Sequence, residues 1–413
     1  MPDLFIYPGQ LHGQVVPPPS KSDAHRALIA AGLAGDLSLV SGLPTVTSDD
    51  IRATIRCLKA LAAGEKLLDC GESGTTLRLL IPVVAALGAA SSGPVTLTGS
   101  GRLPQRPLAE YQAIFAGQDL QLNFPQAASL PLQIQGRLRP GIYPVPGHVS
   151  SQYISGLLLA LPLLPGDSVI RLTTPLESAP YVTMTLRTLK AFGIQVESQP
   201  DGYLVPGGQQ YLPCAYQVEK DYSQAAFWLT AAYTGSPLEV AGLAGDSAQG
   251  DRAILDLLAD FRRGAGSFVI DASQIPDLVP ILAVAAAFTN SETRIVKAAR
   301  LRLKESDRLQ STQAALSAIG VDIEQTGDGL LIRGGSFSRR GDYLPGGTAD
   351  AYADHRIAMA LAIAALSTTG GVLIQGAEAV RKSYPDFFNE FRRLGGDVDE
   401  LNLGSASENQ HLW

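Results

Sequence analysis

Six stretches of this chain share one pattern, a few polar or small residues followed by an almost unbroken apolar run. They are SKSDAHRALIAAGLA (20–34), SGTTLRLLIPVVAALG (73–88), SSQYISGLLLALPLL (150–164), DYSQAAFWLTAAY (221–233), IPDLVPILAVAAAF (275–288) and DAYADHRIAMALAIAALS (350–367). A helix that is apolar all round belongs inside a protein, so each run predicts a buried helix with a polar mouth. Counted from residues 20, 73, 150, 221, 275 and 352, the intervals are 53, 77, 71, 54 and 77 residues. The 53/77 pair returns as 54/77, which reads as an internal duplication with three units per half.

A second helix type alternates with the first. SDDIRATIRCLKALAAG (48–64), YVTMTLRTLKAFG (181–193), ESDRLQSTQAALSAIG (305–320) and SYPDFFNEFRRLGG (383–396) carry apolar residues at helical spacing and close on Gly, a helix-stop signal. Short β-like runs lie between: GPVTLTG (93–99), SVIRLTT (168–174), GYLVPGG (202–208), FVIDA (268–272), GLLIRGG (329–335) and GVLIQGA (371–377). The expected module is mixed α/β, with apolar helices inside each domain and amphipathic helices outside.

Composition narrows the class. At 413 residues the chain is too long for one core, and 46% hydrophobic residues can fill two. A net charge of −7 argues against nucleic acid as a partner. The three cysteines, Cys57, Cys70 and Cys214, show no metal or disulfide spacing, which fits a reducing cytoplasm. No signal peptide is read at the start, and the apolar runs 157–164 and 278–288 are too short to cross a membrane. The tail 404–413 lacks periodicity and reads as a frayed end.

Against that acidic balance, cations collect at the helix mouths: Lys21, Arg26, Arg78 and Arg356 within them, and Arg102, Arg106, Lys304, Arg308 and Lys382 in short motifs between them. A helix N-terminus presents free N–H groups and partial positive charge, so these mouths are anion sites. The expected ligand is small and multiply anionic, with phosphate and carboxylate groups that suit planar guanidinium forks.

Ten ordered motifs carry a resemblance: PPSKSDAHRAL (18–28), GESGTTLRLL (71–80), GRLPQRP (101–107), SSQ (150–152), ESAPYVTMTL (177–186), VEKDYSQAA (218–226), IPD (275–277), LKESDR (303–308), YADHRIAM (352–359) and KSYPDFF (382–388). Together they resemble the 5-enolpyruvylshikimate-3-phosphate synthase family of enolpyruvyl transferases. The resemblance implies two similar α/β domains, each of three βαβαββ units around buried parallel helices. It places residues 1–16 plus 221–413 in a discontinuous first domain and 17–220 in the second, with crossovers near 15–20 and 219–221. The family's active site lies between domains that close on substrate. The reaction implied is transfer of the carboxyvinyl group of phosphoenolpyruvate to the 5-hydroxyl of shikimate 3-phosphate, by addition and elimination, in a cytoplasmic monomer. No cofactor and no metal is expected, and glyphosate is the family's inhibitor at the phosphoenolpyruvate site.

By matching motif, the resemblance assigns shikimate 3-phosphate to Lys21, Ser22, Arg26, Ser150, Ser151, Gln152, Ser178, Tyr181, Asp277 and Lys304. It assigns phosphoenolpyruvate to Lys21, Gly74, Arg78, Arg106, Gln152, Arg308, Arg356 and Lys382. Asp277 becomes the general base with Lys304 beside it, and Glu305 and Lys21 the candidates for proton exchange at the methylene carbon. Asp277 could equally serve as a helix N-cap. Asp354 and His355 are expected to fix their loop; His12, His25, His148 and His411 form no catalytic motif. The chain departs from the family pattern at Asp23, Glu72, Leu79 and Arg300. The related UDP-N-acetylglucosamine enolpyruvyl transferases carry a Cys shortly before an Arg-Pro, whereas GSGRLPQ precedes Arg106-Pro107 here with no Cys. A non-catalytic homologue would lack an acid or base, and the four candidates are present.

Overall fold

Among the described residues the βαβαββ order is complete four times. A computed structural model describes residues 3–44, 47–125, 128–264, 266–335 and 344–401; the 404–413 tail lies outside them. In one repeat, strand Leu67–Asp69, helix Gly74–Ala86, strand Val95–Thr98, helix Glu110–Ile114 and strands Asp119–Asn123 and Leu132–Arg137 follow in order. The first two strands are parallel (Leu68↔Leu97), as a helical crossover requires, and the rest antiparallel (Leu97↔Leu132, Leu122↔Ile134). The same order recurs from Ile142–Val145 to Gly202–Val205 and from Phe268–Asp271 to Leu330–Arg333. The fourth repeat runs from Gly347–Asp350 to Val398–Leu401, and the N-terminal strand Asp3–Ile6 completes it by pairing Leu4 with both Ile374 and Glu400.

Two further repeats are abbreviated. Their parallel sheets have two strands each, Gly13–Val15 with Leu238–Val240 and Val40–Ser41 with Tyr216–Gln217. Six full βαβαββ units were expected, and the difference has a simple cause. Helix Asp49–Ala62 is followed by strand Leu67–Asp69 of the next repeat, and helix Ile254–Arg263 by strand Phe268–Asp271. The linkers are too short to hold a closing hairpin. Gly64 ends the first of these helices at φ +77, a conformation that side chains resist.

The chain divides into two compact units. The first is Met1–Pro17, Tyr222–Gly242 and Asp251–Trp413; the second is Pro18–Asp221 and Leu243–Gly250. A single break at 221 would leave Leu243–Gly250 with the first unit. Instead, Gln249 Nε2 donates to the Lys220 carbonyl at 2.7 Å and Arg187 donates to the Asp246 carbonyl at 2.9 Å, which fastens this segment to the second unit.

Each unit is built around three of the apolar helices. Lys21–Leu33, Gly74–Ala86 and Ser151–Ala160 fill the second unit; Tyr222–Tyr233, Val279–Ala287 and His355–Ala365 fill the first. The strands alternate as sheets with one covered face do: Leu132 and Ile134 are buried, Gln133 and Gln135 exposed. Close helix approach depends on Gly156, where an added Cβ would lie 2.8 Å from the Arg78 carbonyl. All three cysteines are free thiols.

Candidate active site

In the second unit three helix mouths open together, each capped by Ser. Ser20, Ser73 and Ser150 accept from the backbone N–H of Asp23, Thr76 and Gln152. Lys21 heads the first helix; its ammonium meets the Asp50 carboxylate at 2.7 Å and its backbone N–H meets Asp221 at 3.1 Å. One turn on, Arg26 is fully buried. Its guanidinium donates to Thr185 Oγ1 at 2.7 Å, to the Ser22 carbonyl at 2.6 Å, to the Tyr181 carbonyl at 3.0 Å and to Ser155 Oγ at 3.3 Å. Burial pulls its pKa down to about 10, Asp23 opposing, so it stays charged at neutral pH. Ser178, before helix Ala179–Ala191, holds a left-handed φ of 55°, a strained conformation for Ser. Ser22, Arg26 and Tyr181 are thus one cluster, and Ser178 lies one turn from Tyr181.

The other two mouths share Gln152. Its Nε2 donates to Thr75 Oγ1 at 2.9 Å, and its Oε1 accepts from Arg78 at 3.0 Å. Arg78 also donates to the Pro107 carbonyl at 3.1 Å. Arg106 packs its guanidinium flat over Gly74, where a Cβ would sit 2.5 Å from Nη1. Ser151 lies in the first turn of the third helix. Glu72 packs its carboxylate against Gly101.

In the first unit the mouths converge on one carboxylate. Asp277 Oδ1 accepts from Arg308 at 2.9 Å, Asp277 Oδ2 lies 3.1 Å from Arg356, and Lys304 Nζ is 3.7 Å away. Arg356 extends from the start of its helix to the Asp277 carbonyl and to Ser223 Oγ, both at 3.1 Å. Three helix starts, at 223, 277 and 356, therefore meet. Asp277 sits inside the turn Pro276–Leu278, and the N-cap position of the following helix is Leu278.

Arg308 is the hub of this cluster. Only 1% exposed, it binds Glu305 at 2.6 Å and Asp354 at 2.9 Å besides Asp277. Burial alone would lower its pKa, but Asp354, Glu305 and Asp277 together raise it. Asp354, fully buried, also accepts from Ser306 Oγ and from the Arg356 N–H, capping the last helix. Burial pushes Lys304 down to about 8 against the pull of Asp277. Lys382 donates to the Ala353 carbonyl at 3.1 Å, in a loop where Tyr352 and Ala353 both hold positive φ.

Several partners carry no local sequence signal. Ser155, on an apolar helix, and Thr185, on an amphipathic one, read as core fillers around Arg26, and Ser223 shows no mark of its bond to Arg356. Asp50 belongs to an acidic helix start, SDD, which announces a helix and not a partner for Lys21. Arg300, at a departure from the family pattern, donates to the Ser273 carbonyl.

A repeated α/β fold whose helix mouths carry guanidinium and ammonium groups fits a class: an enzyme acting on small molecules. Comparison with known proteins gives the family. The family model for EPSP synthase (3-phosphoshikimate 1-carboxyvinyltransferase) matches residues 7–67 and 61–391. A 3-phosphoshikimate 1-carboxyvinyltransferase of Clostridium novyi is 42% identical over 98% of this chain and 100% of its own length. That of Clostridium acetobutylicum is 41% identical over 97% and 99%. A solved EPSP synthase from Acinetobacter baumannii matches with a TM-score of 0.76 at 25% identity, covering 97% of this chain and 99% of that one. The chain belongs to the EPSP synthase family. No helix among the described residues is long and apolar enough to cross a membrane.

Proposed function

We propose that this chain transfers the carboxyvinyl group of phosphoenolpyruvate to the 5-hydroxyl of shikimate 3-phosphate and releases inorganic phosphate. The observation that carries the reading is Asp277, a carboxylate 16% exposed and ringed by Arg308, Arg356 and Lys304. A carboxylate held beside three cations is placed to take up a proton from a substrate hydroxyl, and the cations around it suit the negative charge of both substrates. In this reading Asp277 takes the hydroxyl proton as the oxygen bonds to C2 of phosphoenolpyruvate, while Lys21 or Glu305 delivers a proton to the methylene carbon. Elimination reverses both transfers: a proton leaves the new methyl group for Lys21 or Glu305 as the C–O bond to phosphate breaks, and Asp277 returns its proton to the departing phosphate. Ser22, Arg26, Ser150, Ser151, Gln152, Ser178 and Tyr181 bind shikimate 3-phosphate. Gly74, Arg78, Arg106, Arg308, Arg356 and Lys382 bind the phosphoenolpyruvate carboxylate and phosphate. Lys304 supports Asp277. The enzyme works as a cytoplasmic monomer without cofactor.

The test is phosphate release from phosphoenolpyruvate with shikimate 3-phosphate as acceptor, run beside UDP-N-acetylglucosamine. Release with the first acceptor alone supports the reading. Release with the second alone, or with neither, refutes it.

A further inference from the structure

Behind the mouths of the second unit lies a chain of buried polar side chains that the proposed reaction does not use. His25 Nδ1 is 2.7 Å from Thr54 Oγ1, and Thr54 Oγ1 is 2.6 Å from Thr76 Oγ1. Thr76 Oγ1 is in turn 2.7 Å from Ser73 Oγ and 3.4 Å from the Asp50 carbonyl. His25, Thr54, Thr76 and Ser73 are all completely buried. Each helix supplies a link: Lys21–Leu33 gives His25, Asp49–Ala62 gives Thr54, and Gly74–Ala86 gives Thr76. The ring closes where the Asp50 carboxylate holds the Lys21 ammonium.

Proton counting fixes the direction of these bonds. Thr76 has one hydroxyl proton and two acceptors within reach, the Asp50 carbonyl and Ser73 Oγ. Thr76 donates to Ser73 Oγ, with the Asp50 carbonyl as its longer second acceptor; Thr54 donates to Thr76 Oγ1, and His25 donates to Thr54 from Nδ1. Every proton of His25, Thr54 and Thr76 then has an acceptor. The opposite tautomer places an N–H on His25 Nε2, which has no hydrogen-bond partner among the described residues. An orphaned buried N–H is the rarer and costlier fault, since a spare acceptor lone pair is better tolerated. Burial, reinforced by Lys21 and Arg26, holds the imidazole pKa well below its usual range, so the ring is neutral with a single N–H to place.

We propose that His25, as the neutral Nδ1–H tautomer, acts with Thr54 and Thr76 to lock the Lys21 ammonium and the Gly74 helix mouth in a single register. They are positioning residues, and the proposal rests on the reaction given above. Lys21 is aimed by the Asp50 carboxylate, and the Asp50 backbone is anchored by Thr76. The same Thr76 hydroxyl donates to Ser73 Oγ, the cap of the Gly74 helix. Without Thr54, His25 loses its acceptor and Thr76 loses a donor, so the tie between the Lys21 helix and the Gly74 mouth is cut.

The test pairs kinetics with a direct look at the ring. Thr54→Val keeps the shape and removes the hydroxyl; Thr54→Ser keeps the hydroxyl. Thr54→Val is expected to raise KM for phosphoenolpyruvate about 10-fold, the scale of one lost buried hydrogen bond. Shikimate 3-phosphate shares Lys21 but keeps Arg26 with its partners intact, so its affinity by calorimetry falls less than KM for phosphoenolpyruvate rises, and Thr54→Ser restores KM. A folded Thr54→Val enzyme with wild-type KM and only a lowered Tm overturns the proposal. Nitrogen NMR of the wild-type protein, with His25 assigned by its loss in His25→Gln, needs no variant to be active. A proton on Nδ1 and no titration from about pH 5 to 9 are expected, and a proton on Nε2 overturns the proposal. Wild-type protein that releases no phosphate defeats the reaction instead, and the tautomer still decides the ring.

Discussion

Gly74→Ala puts one methyl group into the most crowded point of the second unit's site. The new Cβ would lie 2.5 Å from Arg106 Nη1, 2.9 Å from its Cζ and 3.2 Å from Nη2. Gly74 is the first residue of its helix and its φ is not positive, so Ala fits the backbone. The helix is left unharmed, or gains up to about 1 kcal/mol from propensity. The clash is with the far end of a flexible side chain, so Arg106 yields, retreating about 1 Å to reach ordinary contact. A hydrogen bond between Arg106 and the phosphoenolpyruvate anion is worth about 1.5–3 kcal/mol. Its loss corresponds to a rise in KM of about 10- to 150-fold, the lower end if part of the bond survives. Arg26 and its partners lie outside this contact, so affinity for shikimate 3-phosphate is expected to stay constant. Steady-state kinetics, a melting scan and calorimetry measure the three quantities. A well-folded Gly74→Ala enzyme with unchanged KM for phosphoenolpyruvate would show that the anion does not sit against Gly74 and Arg106.

Asp277→Asn keeps the shape and removes the base, so kcat is expected to fall by about 100- to 10,000-fold with Tm little changed; near-normal turnover would move the base elsewhere. Arg308→Met leaves Asp354 and Glu305 without their shared cation, and a loss of about 3–5 kcal/mol in denaturant unfolding is expected. Lys304, at about 8 when folded against an ordinary 10.5, binds fewer protons folded than unfolded between those values. Its contribution to stability is therefore poorest below pH 8 and improves as pH rises toward 10.5. Substrate anions beside Lys304 raise its pKa, so calorimetry at about pH 8.5 in two buffers should show proton uptake on binding, absent in Lys304→Met. Turnover should survive a chelator, because the proposed charge stabilisers are Lys and Arg; loss restored by one divalent ion would contradict this.

Three of the six helix mouths were legible because two chemistries collide in them. An Ala- and Leu-rich run can only be buried, and a Lys or Arg at its start, as at Lys21, Arg78 and Arg356, must then face something anionic. The six β-like runs formed strands for a similar reason, being short, branched and bounded by Gly. What the pattern missed was set by distance along the chain. Thr54 and Thr76 are indistinguishable from small core residues until three helices bring them within 2.6 Å. Lys21 and Asp50, 29 residues apart, are joined only by packing. Asp277 looked like a cap because IPD precedes a helix, yet the turn that carries it faces its carboxylate to Arg308 and Arg356. The missing hairpins were a matter of chain length between helix and next strand, which periodicity does not weigh.

Among the described strands, the earliest in sequence pairs with two of the latest. Asp3–Ile6 finds its partners only in Val372–Gln375 and Val398–Leu401, so it leaves the ribosome long before either neighbour exists. The second unit, nearly all of it within Pro18–Asp221, can finish first, while the strand ahead of it waits with both edges bare. An unpaired strand is a template for wrong pairing, and closure over so long a loop costs time more than stability. The ends of the finished sheet are adjacent, Asp3 opposite Leu401. A permuted chain that links this strand directly behind Leu401 would emerge with its partners already made, and it should fold faster than the natural order at nearly equal final stability.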